Sequence, residues 1–312
     1  MRVIFFGTSA FAVPSVERLV REGHTILCCV TQPDRPQGRG RVLAPSPVKQ
    51  AAARLKLPLS QPLRPLAEPL ALLQPEVGVV AAYGQLIRRE LLALPRHGML
   101  GVHPSLLPAY RGAAPVAWAL LNGETTTGVT IFRLNEALDA GKILSQRAVA
   151  IDPQENAETL TERLARLGAE ELSRTLQALA AGNVRGQPQD PSRASEAPKL
   201  TKAQGRIDWQ APAETIVRLV RATVPWPGAT TQWRGMSLKI LSASSHEPLG
   251  PLPSAGRVLQ AAPEGIIVAA GQGAVVLREV QPAGRRRMSA GEFLAGHPIR
   301  IGEQLGSGML SV

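Results

Sequence analysis

Cysteine is nearly absent from these 312 residues: only Cys28 and Cys29 occur, side by side in an apolar run. Adjacent cysteines do not close an ordinary structural disulfide, so no covalent framework is expected. Histidine is also sparse, five scattered residues without a Cys/His cluster, and no metal site is predicted. Long apolar runs are missing. Nothing approaches the ~20 residues that cross a bilayer. The start, Met1-Arg-Val-Ile-Phe-Phe-Gly7, is a poor signal peptide and reads better as a buried strand. A cytoplasmic protein with no membrane partner is expected, and a monomer. Acidic residues are in deficit, 24 against 35 Lys and Arg, for a net charge of +11. The excess runs through the chain, 22 against 17 in residues 1–198 and 13 against 7 in residues 199–312. Such a balance favours a polyanion, most directly nucleic acid; a GC-rich genome that enriches Arg, Ala, Gly and Pro would also produce it.

What is present suits a globular chain of two domains, with 44% hydrophobic and 19% charged residues. Residues 2–6 read as a strand, and Val13, Val16, Leu19 and Val20 then recur at helical spacing up to Gly23. Strands are predicted over 25–31 and 77–82, with helices around 48–55 and 66–73 between them. A further apolar run covers 127–134. A long helix is predicted from about 157 to 180, with Leu160, Leu164, Leu167, Leu172, Leu176 and Leu179 on its apolar side. Strands alternating with helices predict an α/β fold with a parallel, doubly wound, Rossmann-like sheet. Ligands gather beyond the carboxyl ends of such strands, where the loops carrying Gly7, Tyr83–Ile87, His103 and Asp139 are expected. The composition turns polar and Pro-containing over 186–195. Beyond it come one helix over 213–222 and short β-like runs over 230–233, 238–241, 256–259, 265–269 and 274–280, a pattern that suggests a small barrel. The expected division is a first domain over 1–188, a linker over 189–207 and a carboxyl domain over 208–312.

The chemistry concentrates in Leu100-Gly-Val-His-Pro-Ser-Leu-Leu-Pro-Ala-Tyr-Arg-Gly112, which puts His103 on a proline-rich loop directly after an apolar run. A second run delivers Asp139 in Leu138-Asp-Ala-Gly141. A histidine and a carboxylate on loops after strands make a base and its orienter if they converge, and then the chain is an enzyme. A lone structural histidine is the plainer reading. Thr31-Gln-Pro-Asp-Arg-Pro-Gln-Gly-Arg-Gly-Arg41 offers Arg35, Arg39 and Arg41, whose planar guanidinium groups suit phosphates; a solvated turn would look the same. Arg285, Arg286 and Arg287 form a second basic cluster with the same two readings. Gln85, Leu86 and Ile87 follow a strand and could present backbone groups to a flat heterocycle. The turn at Gly7-Thr-Ser-Ala-Phe11 lacks the G-x-G-x-x-G fingerprint, so dinucleotide binding is not supported, although its amides could hold an anion.

Together these segments resemble the methionyl-tRNA formyltransferase family over nearly the whole chain. The likeness is carried by Phe6–Ala12, by Thr31–Gly40 with Ser46-Pro-Val-Lys49, by Val102–Pro108 with Tyr110–Pro115, and by Gly128–Ile131 through Leu138–Gly141. Lys199-Leu-Thr-Lys202, Ile207-Asp-Trp209, Pro225-Trp-Pro227 and Gln281-Pro-Ala-Gly284 extend it into the carboxyl half. The resemblance implies formyl transfer from 10-formyltetrahydrofolate, a co-substrate needing no metal, to the α-amino group of initiator methionyl-tRNA. It implies a Rossmann-like catalytic domain and an OB-like barrel that holds tRNA. It places folate at Ser105, Leu106, Leu107 and Pro108, with Gln85, Leu86 and Ile87 beside them, and Arg39 in a loop entering the acceptor stem. His103 would shuttle the proton and Asp139 would hold the imidazole. One position departs from the family pattern Asn-x-His: Gly101 stands where an Asn amide is expected to donate to the formyl oxygen. A water, the protonated His103 or a backbone amide would then serve the oxyanion, and Gly101→Asn is expected to raise turnover. Two alternatives follow: a formyltransferase for a small amine such as an amino-sugar nucleotide, and an impaired homologue that only binds tRNA or folate.

Overall fold

A computed structural model of the protein describes residues 1–37, 42–63, 67–247 and 250–306. The chain divides into two units. The first comprises Met1–Pro115, Thr125–Ile151 and Leu160–Pro198; the second takes Val116–Glu124, Asp152–Thr159 and the described residues from Lys199 onward. The segment expected as a linker is thus divided at Pro198, and residues 189–198 fall within the first unit.

The apolar runs of the first unit make a seven-stranded sheet in the order Ile143–Ala150, Thr126–Arg133, Met99–His103, Val77–Ala81, Arg2–Gly7, Thr25–Val30, Leu59–Ser60. From Met99–His103 to Leu59–Ser60 every pairing is parallel. These central strands are buried on both faces, which is why they read as continuous apolar runs rather than alternating ones. The helix Val13–Arg21 buries Val16 and Leu19, and Gly23 after it takes φ 77°, which glycine adopts without a Cβ penalty. The helix Pro47–Arg54 starts at Ser46, whose hydroxyl accepts from the Lys49 amide. The helix Ala157–Ala180 buries all six leucines of the predicted stripe.

Two features differ from the parallel expectation. Thr126–Arg133 runs antiparallel to Met99–His103, with Leu100 opposite Arg133 and His103 opposite Thr130. The edge strand Ile143–Ala150 pairs antiparallel with it in turn. This last strand is half-exposed along its length, so its sequence carries no apolar run to announce it.

The second unit holds an antiparallel sheet in the order Ala229–Trp233, Met236–His246, Ala274–Pro282, Gly265–Ala269, Val258–Ala262. Its core joins Leu238, Ile240, Val268, Leu277 and Val280 to Ile216 and Val220 of the helix Ala213–Thr223 and Phe293 of the helix Ala290–Gly296. Among the described residues no helix is long and apolar enough to cross a membrane, and no cluster of His, Cys, Asp and Glu has the makings of a metal site.

Candidate active site

His103 is the last residue of a wholly buried strand and is itself 6% exposed. The loop after it is pinned from the neighbouring strands. Thr130 donates its hydroxyl to the Ser105 carbonyl (2.6 Å) and accepts from the Leu107 amide (3.1 Å). Gln146 donates to the Leu107 carbonyl (2.8 Å) and to the Thr130 hydroxyl (2.9 Å). Ser105, fully buried, closes the turn by donating to the Ala109 carbonyl at 2.6 Å. The Ser105–Pro108 segment is therefore held in place, and Leu106, Leu107 and Pro108 line a depression of about 350 Å³ with Ala109, Gln146, Ala148 and Arg193.

Asp139 arrives by an unexpected route. Its strand runs opposite to that of His103, so the chain leaves it at Arg133, beside Leu100, and must return toward His103. Asp139 makes the return with φ 49°, in the left-handed region that costs a non-glycine residue about 1–3 kcal/mol. Its Oδ2 lies 3.6 Å from His103 Nδ1 and accepts from the Gly112 amide at 2.9 Å. The Tyr110 carbonyl lies 2.9 Å from His103 Nε2. Both ring nitrogens thus face oxygen acceptors. A neutral ring can donate to one of them; an imidazolium donates toward both.

Gly101 lies two residues before His103 and on the same face of the strand. Its cross-strand partner is Phe132, whose ring leans into the space a side chain at 101 would fill. A Cβ there would stand 2.3 Å from Phe132 Cε1 and 2.9 Å from Leu134 Cδ1. Phe132 is 4% exposed and meets the His103 ring edge-on, with centroids 6.4 Å apart. The missing amide and the aromatic wall are one feature, and an asparagine at 101 needs Phe132 to move first. This revises the expectation for Gly101→Asn.

Gln85, Leu86 and Ile87 emerge at the same sheet edge as His103, because Val77–Ala81 pairs parallel with Met99–His103. Leu86 is 73% exposed, whereas Ile87 packs on the cluster that contains Phe6 and Tyr83. The Tyr83 carbonyl accepts from Thr8 (2.8 Å) and from Gln32 (2.7 Å), which ties three strand-end loops together. Arg35 is exposed at the start of the hairpin Arg35–Gln37/Val42–Ala44, while Arg39 and Arg41 lie outside the described residues. The root of that hairpin is held by Asp34, which accepts from Lys49 (2.6 Å) and Gln61 (2.8 Å). The Lys49 hydrogen bond, with that of Gln61, keeps the Asp34 carboxyl below its usual range. Burial pushes the Cys29 thiol up to about 12, so neither it nor its raised neighbour Cys28 is a ready nucleophile.

The arginine triplet sits in the second unit. Arg286 pairs with Glu292 at 2.7 Å and Arg287 with Glu279, which leaves Arg285 without an ion pair among the described residues. A different basic feature escaped the sequence reading. Arg206 bridges to Thr230, Thr230 stands opposite Lys239, and Lys239 stands opposite Gln281, a polar row across three strands. Leu238, Ile240 and Val280 point the other way into the core. Cross-strand register creates this row, and four residues far apart in sequence cannot announce it. Thr130 and Gln146 escaped notice for the same reason.

Two family models match the chain in succession. The family described as Formyl transferase matches residues 1–176, and Formyl transferase, C-terminal domain, matches residues 199–298. The chain is similar to the methionyl-tRNA formyltransferase of Chloroflexus aurantiacus, 49% identical over 97% of this chain and 100% of that one. It is also similar to that of Geobacter sulfurreducens, 41% identical over 98% and 97%. In fold it is similar to an N-formyltransferase from Helicobacter canadensis crystallised with folinic acid and dTDP-3-aminofucose: TM-score 0.68, 15% identity, 88% of this chain and 98% of that one. HypX from Aquifex aeolicus in complex with tetrahydrofolic acid is a second fold relative: TM-score 0.65, 19% identity, 97% and 48%. Two domain families matched in order, and relatives above 40% identity along the full chain, make the conclusion plain: the chain belongs to the methionyl-tRNA formyltransferase family.

Proposed function

We propose that the chain moves the formyl group of 10-formyltetrahydrofolate to the α-amino group of methionyl initiator tRNA, with His103 as proton carrier and Asp139 as its orienter. The neutral amine attacks the formyl carbon and a tetrahedral oxyanion forms. The bond from that carbon to the folate nitrogen then breaks, and the proton lost by the amine is delivered to the leaving nitrogen. The observation that carries this reading is the acceptor on each side of the imidazole. A ring that takes the amine proton becomes a cation, and Asp139 Oδ2 and the Tyr110 carbonyl face its two nitrogens. For Nε2 to take the amine proton its contact with the Tyr110 carbonyl opens, and the acceptor amine would enter in place of that carbonyl. Gly101 supplies no side-chain amide to the oxyanion, and with both imidazolium N–H groups facing Asp139 and Tyr110 a backbone amide or a water would serve it.

Folate is assigned to Ser105–Pro108 with Gln85, Leu86 and Ile87 beside it, on a loop that Thr130 and Gln146 hold in place. RNA phosphates are assigned to Arg35, Arg39 and Arg41 and, in the second unit, to Arg285 and the row through Arg206 and Lys239, with Arg286 and Arg287 engaged by carboxylates in the free protein. Labelled 10-formyltetrahydrofolate offered with charged initiator tRNA should yield formyl-methionyl-tRNA. Label passing instead to an amino-sugar nucleotide, or to neither acceptor, would contradict the reading.

A further inference from the structure

Residues 187–197 are laced into the first unit rather than merely passing along it. Gln187 exchanges backbone hydrogen bonds with Ile143, and Glu196–Ala197 pair parallel with Arg111–Gly112. Between these anchors the side chain of Gln189 enters the space between the His103 loop and the Asp139 loop. Its Nε2 donates to the Asp139 carbonyl and to the Gly141 carbonyl, each at 2.8 Å. Its Oε1 accepts from Arg111 Nε at 3.1 Å and Nη2 at 2.6 Å. Two donors and two acceptor sites are the full capacity of an amide, and all four are used. The opposite orientation would set carbonyl against carbonyl and amide against guanidinium, so the network fixes which way the group points.

We infer that Gln189 is a positioning residue for formyl transfer: it holds the Asp139 turn so that the carboxylate stays on His103. Resting on the roles proposed above for His103 and Asp139, the inference adds the group that keeps them in register. The need is physical. Asp139 sits at φ 49°, and Gly141 beside it leaves a Cβ only 1.7 Å from the Arg133 carbonyl oxygen. A turn this tight and this far from its preferred conformation persists only while its surroundings over-determine it. The Asp139 side chain has the Gly112 amide as an anchor, and Gly112 belongs to the loop that Arg111 ties to Gln189. One amide therefore braces the carboxylate from its own backbone and from its hydrogen-bond donor.

Two variants separate the bracing from the Arg111 contact. Gln189→Ala removes both sides. Gln189→Glu keeps an acceptor for Arg111 but turns a carboxylate oxygen toward the Asp139 and Gly141 carbonyls. Both should lower kcat for formylation about 10- to 100-fold, as a misplaced catalytic group does, with KM for charged tRNA and for the folate donor little changed. In an Asp139→Asn background Gln189→Ala should cost almost nothing further, because the group it positions is already disabled. Wild-type kcat in Gln189→Glu, or full additivity with Asp139→Asn, would overturn the inference, and so would a loss confined to KM. If Asp139→Asn itself keeps full activity, the catalytic reading fails rather than the bracing.

Discussion

Gly101 and Phe132 form a pair whose meaning lies in their contact. Neither residue suggests the other in the sequence, since they meet only through the antiparallel register that sets Gly101 opposite Phe132. An asparagine added alone overpacks a buried strand, and overpacking typically costs about 1–3 kcal/mol. Gly101→Asn should therefore lower the midpoint of denaturant unfolding and leave turnover no higher than wild type. Gly101→Asn combined with Phe132→Ala should cost less stability than the sum of the two single changes, and should raise turnover above that of Phe132→Ala. A single Gly101→Asn variant that is both stable and faster would mean that Phe132 yields readily. The wall beside His103 is hydrocarbon, with the Phe132 ring edge-on to the imidazole.

Among the elements, the hairpin Arg35–Gln37/Val42–Ala44 depends on its root. Asp34 is held by Lys49 and Gln61, and its pKa is lowered, so the contact stabilises the hairpin above the ordinary carboxylate pKa and is lost as pH falls through the depressed one. Lys49→Met should raise the Asp34 carboxyl titration midpoint, followed by NMR, back toward the ordinary aspartate value. An unmoved midpoint would remove Lys49 as the cause. The elements themselves were largely legible: 3.6-residue periodicity marks Val13–Arg21 and Ala157–Ala180, and unbroken apolar runs mark the central strands. The sequence singles out His103 and Asp139, although His103 ends its strand instead of lying on the loop after it. Ile143–Ala150 was not legible, because a half-exposed edge strand need not be apolar. Gln189 was not either, since a residue that works entirely through hydrogen bonds sits in a polar, proline-containing segment that composition reads as linker. Direction was the remaining gap: no pattern within Thr126–Arg133 reveals that it runs against its neighbour.

At the scale of the molecule, the basic excess behind the net charge of +11 is spread over both halves of the chain. The first unit carries the buried His103, the Ser105–Pro108 loop and the hairpin that begins at Arg35. The second carries an antiparallel sheet with a polar row in which Thr230 lies between Arg206 and Lys239. The proposed proton handling rests on His103 and Asp139, which the first unit brings within 3.6 Å of each other. The most direct test of the account is single-turnover formylation of charged initiator tRNA by His103→Ala and Asp139→Asn, each first shown to unfold at the wild-type denaturant midpoint. Proton handling of this kind contributes about 10²–10⁴-fold, so His103→Ala should fall by that order and Asp139→Asn substantially in the same direction. Wild-type rates in both folded variants would contradict the account.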